Sequence, residues 1–163
     1  MKDTFGTQGR RVCATAAETT QLGVELGQAL EAGDVVILDG PLGAGKTTFT
    51  QGVAQGMGVV GRVTSPTFVI AREHRPAGEG PALVHVDAYR LLGEGSSGDP
   101  LGELDALDLD TELEEAVVVA EWGGGLVEQI AGGYLRVELD RSTLAAADPA
   151  SEARVVSWRM VGR

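Results

Sequence analysis

Gly40-Pro41-Leu42-Gly43-Ala44-Gly45-Lys46-Thr47 is a complete G-x-x-x-x-G-K-T sequence, and it follows directly on the apolar run Val35-Val36-Ile37-Leu38-Asp39. A strand before and a helix after such a run are the setting of a phosphate-binding loop. Its glycines let successive backbone N–H groups point inward at an anion, and the next helix adds its positive N-terminal end. In that frame Lys46 reaches the β and γ phosphates and the Thr47 hydroxyl is suited to Mg²⁺. Lys2 and Lys46 are the only lysines in the chain, so the placing of one of them here is hard to read as chance.

Working outward, Val35 to Leu38 are continuously apolar, as expected of a strand buried on both faces in a parallel sheet. Downstream, Phe49, Val53 and Met57 repeat every four residues and predict a helix with a core-facing stripe, closed by Gly56 and Gly58. Upstream, Thr15-Ala16-Ala17-Glu18 spells a capping box ahead of Leu22, Leu26, Ala29 and Leu30 at helical spacing, with Gly33 as the stop. Arg11 to Ala14 reads as a short strand. The polar residues before it suggest a flexible N-terminus over 1–10, followed by one domain over 11–163.

Thr67 to Ala71 and Ala82 to Val86 read as strands flanking the turn Pro76 to Pro81, a candidate hairpin. Gly93 to Pro100 is a loop, and the acidic, Leu-rich Leu101 to Glu115 predicts short helices. Val117 to Ala120 is another buried strand. Leu135, Val137 and Leu139 alternate with Arg136 and Glu138, the pattern of a half-exposed antiparallel edge, and Arg154 to Trp158 is its candidate partner. The fold class is therefore α/β, a P-loop NTPase fold whose mostly parallel central sheet is flanked by helices and has antiparallel edge strands.

Two apolar strands end in a carboxylate, Leu83-Val84-His85-Val86-Asp87 and Val117-Val118-Val119-Ala120-Glu121. Parallel strands share one carboxyl-end edge, where the phosphate loop also lies. Either acid is placed to hold Mg²⁺, directly or through water, or to orient an attacking water. A solvated strand end is the plainer reading for each alone. Trp122 either stacks on a base or covers the sheet end. His85, inside a strand, reads as a buried imidazole. Ser65-Pro66-Thr67-Phe68 is either a turn into a strand or a loop that senses the γ-phosphate through Thr67.

Composition sets limits. The chain has 163 residues, 43% of them hydrophobic, enough for one sizeable core. Its formal net charge is −11 and it has no basic run, which disfavours unaided binding to a nucleic-acid backbone. Cys13 stands alone, so no disulfide framework or cysteine metal cluster arises. No stretch reaches the roughly 20 apolar residues of a membrane span, and no signal core opens the chain, so the expected placement is the cytoplasm. Asparagine is absent, which removes the guanine-reading Asn-Lys-x-Asp element and favours ATP over GTP.

In this order the phosphate loop with Thr48, Ser65-Pro66-Thr67-Phe68, His85-Val86-Asp87-Ala88-Tyr89-Arg90-Leu91 and Glu121-Trp122 resemble the TsaE (YjeE) family, small ATPases of bacterial tRNA threonylcarbamoyladenosine biosynthesis. The resemblance runs from about Thr15 to Trp158. It implies nucleotide contacts from Gly40, Gly43, Ala44, Gly45, Lys46, Thr47 and Thr48, with Mg²⁺ held by Thr47 and Glu121. It implies roles in ATP hydrolysis for Thr48, Asp87 and Glu121, and a switch segment containing Ser65 and Thr67. Trp122 and the turn Thr15-Ala16 would lie by the nucleotide, with Arg154 a further C-terminal candidate. The implied cofactors are ATP and Mg²⁺. The implied partners are TsaB-like and TsaD-like proteins, with tRNA met indirectly and no membrane. The sequence departs from the family pattern at Gly123-Gly124-Gly125 after Trp122.

Two other readings stay open. A P-loop kinase of a small metabolite would need an Arg-bearing lid, for which Gly58 to Ala82 offers only Arg62, Arg72 and Arg75. A nucleotide-gated binding module with negligible turnover differs from the ATPase mainly in rate.

Overall fold

The strand that feeds the glycine-rich loop, β2 (Val35–Asp39), lies near the middle of a seven-stranded sheet. The computed structural model describes residues 1–41, 44–60, 71–87, 115–121, 132–141 and 151–162. Among these, the remaining elements in chain order are β1 (Gln8–Cys13), α1 (Ala16–Ala29), α2 (Lys46–Met57), β3 (Ala71–His74), β4 (Ala82–Asp87), β5 (Ala116–Glu121), β6 (Tyr134–Asp140) and β7 (Arg154–Val161). The strand order across the sheet is β1-β7-β6-β2-β5-β4-β3.

The sheet is mixed. β6, β2, β5 and β4 run parallel to one another, while β3 on β4, β7 on β6 and β1 on β7 are antiparallel. Its hydrophobic pattern follows position. Every residue of β5 is buried, as are Val35 to Leu38, because strands deep in a parallel sheet meet neighbours on both faces. β6 alternates instead, burying Leu135, Val137 and Leu139 and turning Arg136 and Glu138 outward. The sequence pattern suggested an edge for β6. It is an interior strand, between β2 and β7, and its alternation separates a buried face from one on which Arg136 is half-buried and Glu138 exposed.

The core forms on the other face, where Leu22, Leu26, Phe49 and Val53 of the helices meet Val36, Leu38, Val117, Val119, Leu135, Val137, Leu139 and Val156. The two helices themselves meet almost without side chains. A Cβ built on Gly27 would stand 2.2 Å from the Val53 carbonyl oxygen, and one on Gly23 2.4 Å from that of Phe49. Reciprocally, a Cβ on Gly52 would stand 2.2 Å from the Thr20 oxygen and one on Gly56 2.2 Å from that of Val24. Glycines four apart share a helix face, so Gly23 and Gly27 oppose Gly52 and Gly56 as a seam of bare backbone. The contacts advance in the same direction along both helices, which therefore run the same way. Gly56 thus lies within α2 and serves this seam, while Gly58, with φ 71°, is the cap.

The capping box is present. The Thr15 hydroxyl accepts from Glu18 N at 3.2 Å, and the Glu18 carboxylate accepts from Thr15 N at 3.3 Å and also from Ala14 N. Helix α1 ends at Ala29, with Leu30 as its cap, before the expected stop at Gly33. We expect Thr15→Ala to lower stability by about 1 kcal/mol, seen as a lower midpoint in urea unfolding.

The N-terminal residues make contacts that their polar composition did not foretell. Phe5 is buried against the Trp158 ring, with centroids 5.0 Å apart, and Trp158 Nε1 donates to the Gly6 carbonyl at 3.0 Å. Lys2 N donates to the Ala29 carbonyl at 2.7 Å. Strand β1 accordingly starts at Gln8, three residues before the sequence suggested. The hairpin is β3 on β4, with His74 opposite Leu83, so its first strand is Ala71–His74; the expected strand residues 67–70 and the expected helices over 101–114 lie outside the described residues.

Candidate nucleotide site

Parallel pairing brings the ends of three strands to one edge. Leu38 of β2 lies opposite Glu121 of β5, and Asp87 of β4 lies opposite the same Glu121. The glycine-rich loop leaves β2 one residue beyond Leu38's neighbour Asp39, so loop and both strand-end acids share this edge. Because α1 and α2 run the same way, the turn Thr15-Ala16 is at the same end of the helix pair as the start of α2. Sequence reasoning had placed the acids and the loop together, and they are together in the backbone register.

The loop turns into α2 at Gly45, which has φ 95° and ψ 18°, a left-handed conformation that glycine adopts without steric cost. Ala44 N donates to the Pro41 carbonyl at 3.0 Å, and Phe49 N to the Gly45 carbonyl at 2.9 Å, so the helix ladder starts at the loop itself. The first N–H groups of α2 have no intrahelical acceptor and face outward from the helix end. Lys46 is 6% exposed, and its Nζ donates back to the Gly40 carbonyl at 2.7 Å. A buried ammonium at a helix N-terminus is a cation held where an anion binds. Thr47 and Thr48 follow it in the first turn, both half-buried.

Glu121 is 4% exposed and has a partner that the sequence did not reveal. His85 Nε2 is 3.2 Å from its Oε1, and His85 is wholly buried. The sequence did carry half of this signal. His85 and Asp87 are two apart on one strand and so share a face. The other half is the register that sets Val119 opposite His85 and Glu121 opposite Asp87.

Two arginines border the loop. Arg136 Nη2 donates to Asp39 Oδ2, and its Nε donates to Glu138 Oε1 at 3.0 Å, which ties the end of β2 to β6. Burial works against that guanidinium's charge, but Asp39 and Glu138 outweigh it and hold its pKa above the ordinary arginine value. Arg154 of β7 passes beside Gly45, where a Cβ would stand 3.8 Å from its Nε. Its Nη1 donates to the carbonyls of Ala153, at 2.9 Å, and Ser151, at 3.3 Å. Gly43, Ser65, Thr67 and Trp122 lie outside the described residues.

The donor set fits a magnesium-nucleotide. Thr47 and Glu121 offer hard oxygens. Mg²⁺ takes one or two such groups and completes its shell with water and phosphate oxygens. No described helix is long and apolar enough to cross a membrane.

Comparison with known proteins gives the family. Residues 13–148 match the family model described as threonylcarbamoyl adenosine biosynthesis protein TsaE. The tRNA threonylcarbamoyladenosine biosynthesis protein TsaE of Mycobacterium tuberculosis is 54% identical over 142 residues, covering 86% of this chain and 80% of the relative. That of Streptomyces coelicolor is 53% identical over 142 residues, covering 87% and 90%. The crystal structure of YdiB from Bacillus subtilis superposes with a TM-score of 0.69 at 27% identity, over 96% of this chain and 86% of that one. With a family model spanning most of its length and relatives more than half identical to it, the chain belongs to the TsaE family of tRNA threonylcarbamoyladenosine biosynthesis proteins.

Proposed function

We propose that this chain is a P-loop NTPase that binds ATP with Mg²⁺ at the shared strand edge and hydrolyses it for the tRNA threonylcarbamoyladenosine machinery. The observation that carries the reading is the G-x-x-x-x-G-K-T loop opening α2, with Asp87 and Glu121 in register at the same edge. Residues 11–163 then form one ATPase domain. Lys46 and the backbone of Gly40, Gly43, Ala44 and Gly45 hold the phosphates. Thr47 and Glu121 hold the metal, whose chemistry when bound is to neutralise charge on the phosphate oxygens. Thr48 and Asp87 act on the hydrolytic water, with Asp87 accepting a hydrogen bond that orients it. Trp122 and Thr15-Ala16 border the base, and Ser65 and Thr67 belong to the segment that responds to the γ-phosphate.

Turnover is slow in isolation and rises with partners resembling TsaB and TsaD, since switches of this kind often lack a group until a partner supplies it. The chain itself does not transfer the threonylcarbamoyl group. Its acidic surface favours protein partners over bare tRNA, and hydrolysis takes place in the cytoplasm.

The test is Mg²⁺-dependent ATP hydrolysis by the purified chain, alone and with TsaB-like and TsaD-like proteins, with Lys46→Ala as the blank. Stimulation that is lost in the blank is expected. Absence of both association and stimulation would move the reading to a kinase of a small metabolite. We further expect Glu121→Ala to slow hydrolysis by about a hundredfold, while metal-free nucleotide affinity changes by less than about threefold. Equal hydrolysis by the wild type and this variant would remove Glu121 from the metal site.

A further inference from the structure

We propose that His85 is a positioning residue that holds the Glu121 carboxylate in the one orientation that presents its second oxygen to the metal. The inference rests on the reading of Glu121 as a metal ligand.

The geometry is specific. A carboxylate only accepts hydrogen bonds, so the 3.2 Å contact requires His85 Nε2 to carry the proton and donate to Glu121 Oε1. In the neutral ring Nδ1 is then bare. It is buried, and among the described residues it has no hydrogen-bond partner. The ring thus spends its only N–H on Glu121, and Glu121 selects the tautomer. No other hydrogen bond to the Glu121 carboxylate occurs among the described residues, which leaves Oε2 for a further partner.

Stability alone does not account for this histidine. Leu83, Val84 and Val86 beside it are buried, and an apolar side chain at position 85 would leave no orphaned nitrogen. Burying a polar group with one site unpaired is unfavourable and persists where the group acts. Glutamate has three side-chain torsions, and fixing one oxygen removes most of that freedom before metal arrives. Carboxylate ligands are commonly held by such outer hydrogen bonds, and losing one typically weakens metal affinity 10- to 100-fold.

The experiment compares ADP affinity with and without Mn²⁺, the ratio of the two reporting the metal's contribution, for wild type, His85→Leu, His85→Gln and Glu121→Gln. Thermal unfolding of each variant checks the fold. In His85→Leu the Mn²⁺-dependent gain is expected to fall about 10- to 100-fold, while metal-free ADP affinity stays within about twofold. The glutamine amide reaches close to the place of Nε2, so His85→Gln is expected to restore most of the gain. Should His85→Leu fail to fold, His85→Asn, whose amide falls short of Glu121, replaces it with the same expectation. A full Mn²⁺ gain in folded His85→Leu, or equal losses in the leucine and glutamine variants, would overturn the positioning role. A full gain in Glu121→Gln would instead overturn the metal role of Glu121, and the inference with it.

Discussion

Lys46→Ala is expected to lower ATP affinity by at least about a hundredfold. Hydrogen bonds from a charged donor contribute about 1.5–3 kcal/mol each, and a lysine at this loop position serves two phosphates. Losing both removes about 3–6 kcal/mol, and each 1.4 kcal/mol is a tenfold change in Kd. The same substitution should leave folding almost unchanged. The ammonium is buried, and its interactions, the bond to the Gly40 carbonyl among them, are set against the cost of taking it from water, so its loss is close to neutral for the empty protein. Lys46→Arg is expected to fail as well, because a planar, forked guanidinium does not replace a compact ammonium point charge. Titration with a fluorescent, non-hydrolysable ATP analogue, alongside urea unfolding, separates the two quantities. An affinity within threefold of wild type would rule out the loop as the phosphate site.

The second large effect is expected far from any chemistry, at the seam of the helices. Gly27→Ala should destabilise the fold by about 3 kcal/mol, a large share of the 5–15 kcal/mol typical of a domain. Alanine gains about 1 kcal/mol in helix propensity, so the sign is a contest, and geometry decides it. The new methyl group would sit 2.2 Å from the Val53 carbonyl oxygen, which belongs to a helix backbone and has no rotamer to change. The helices must part, and their contacts with Leu26 and Phe49 open with them. Gly78→Ala is the control, since nothing lies within 4 Å of a Cβ there, and it should change stability by less than about 0.5 kcal/mol. Circular dichroism through a urea series measures both. A Gly27→Ala protein as stable as wild type would mean that the helices adjust freely. The loop, carried on α2, should feel the displacement, so nucleotide affinity in this variant is expected to fall along with stability.

What the sequence discloses and what it withholds divide along one line, the range of the interaction. The phosphate loop, the capping box of Thr15 and Glu18, the α2 stripe and the buried runs of β2 and β5 are all local, and composition and spacing suffice to find them. The meeting of loop, Asp87 and Glu121 was also legible, because a parallel sheet obliges strand ends to share an edge. The helix seam was not. Gly23, Gly27, Gly52 and Gly56 read singly as weak points or stops, and their meaning appears only when one helix is laid on the other. The pairing of His85 with Glu121 and of Arg136 with Asp39 likewise depends on which strands are neighbours and in what register. The interior place of β6 was hidden by its alternation, which records a difference between the two faces of the strand and says nothing of its edges.

The outermost strand carries a consequence for the order of assembly. Among the described residues β1 has β7 as its only neighbour in the sheet, with Gln8 opposite Arg159, so the first described strand to leave the ribosome is completed by the last. β2 likewise waits for β5 and β6. Contacts so distant along the chain must close long loops before they are rewarded, which makes folding slow and late. Once α2 has been made, α1, β2 and α2 are all present and can pack along the glycine seam before the sheet neighbours of β2 exist. A polypeptide emerging N-terminus first therefore holds its glycine-rich loop long before it has the sheet edge against which that loop is set.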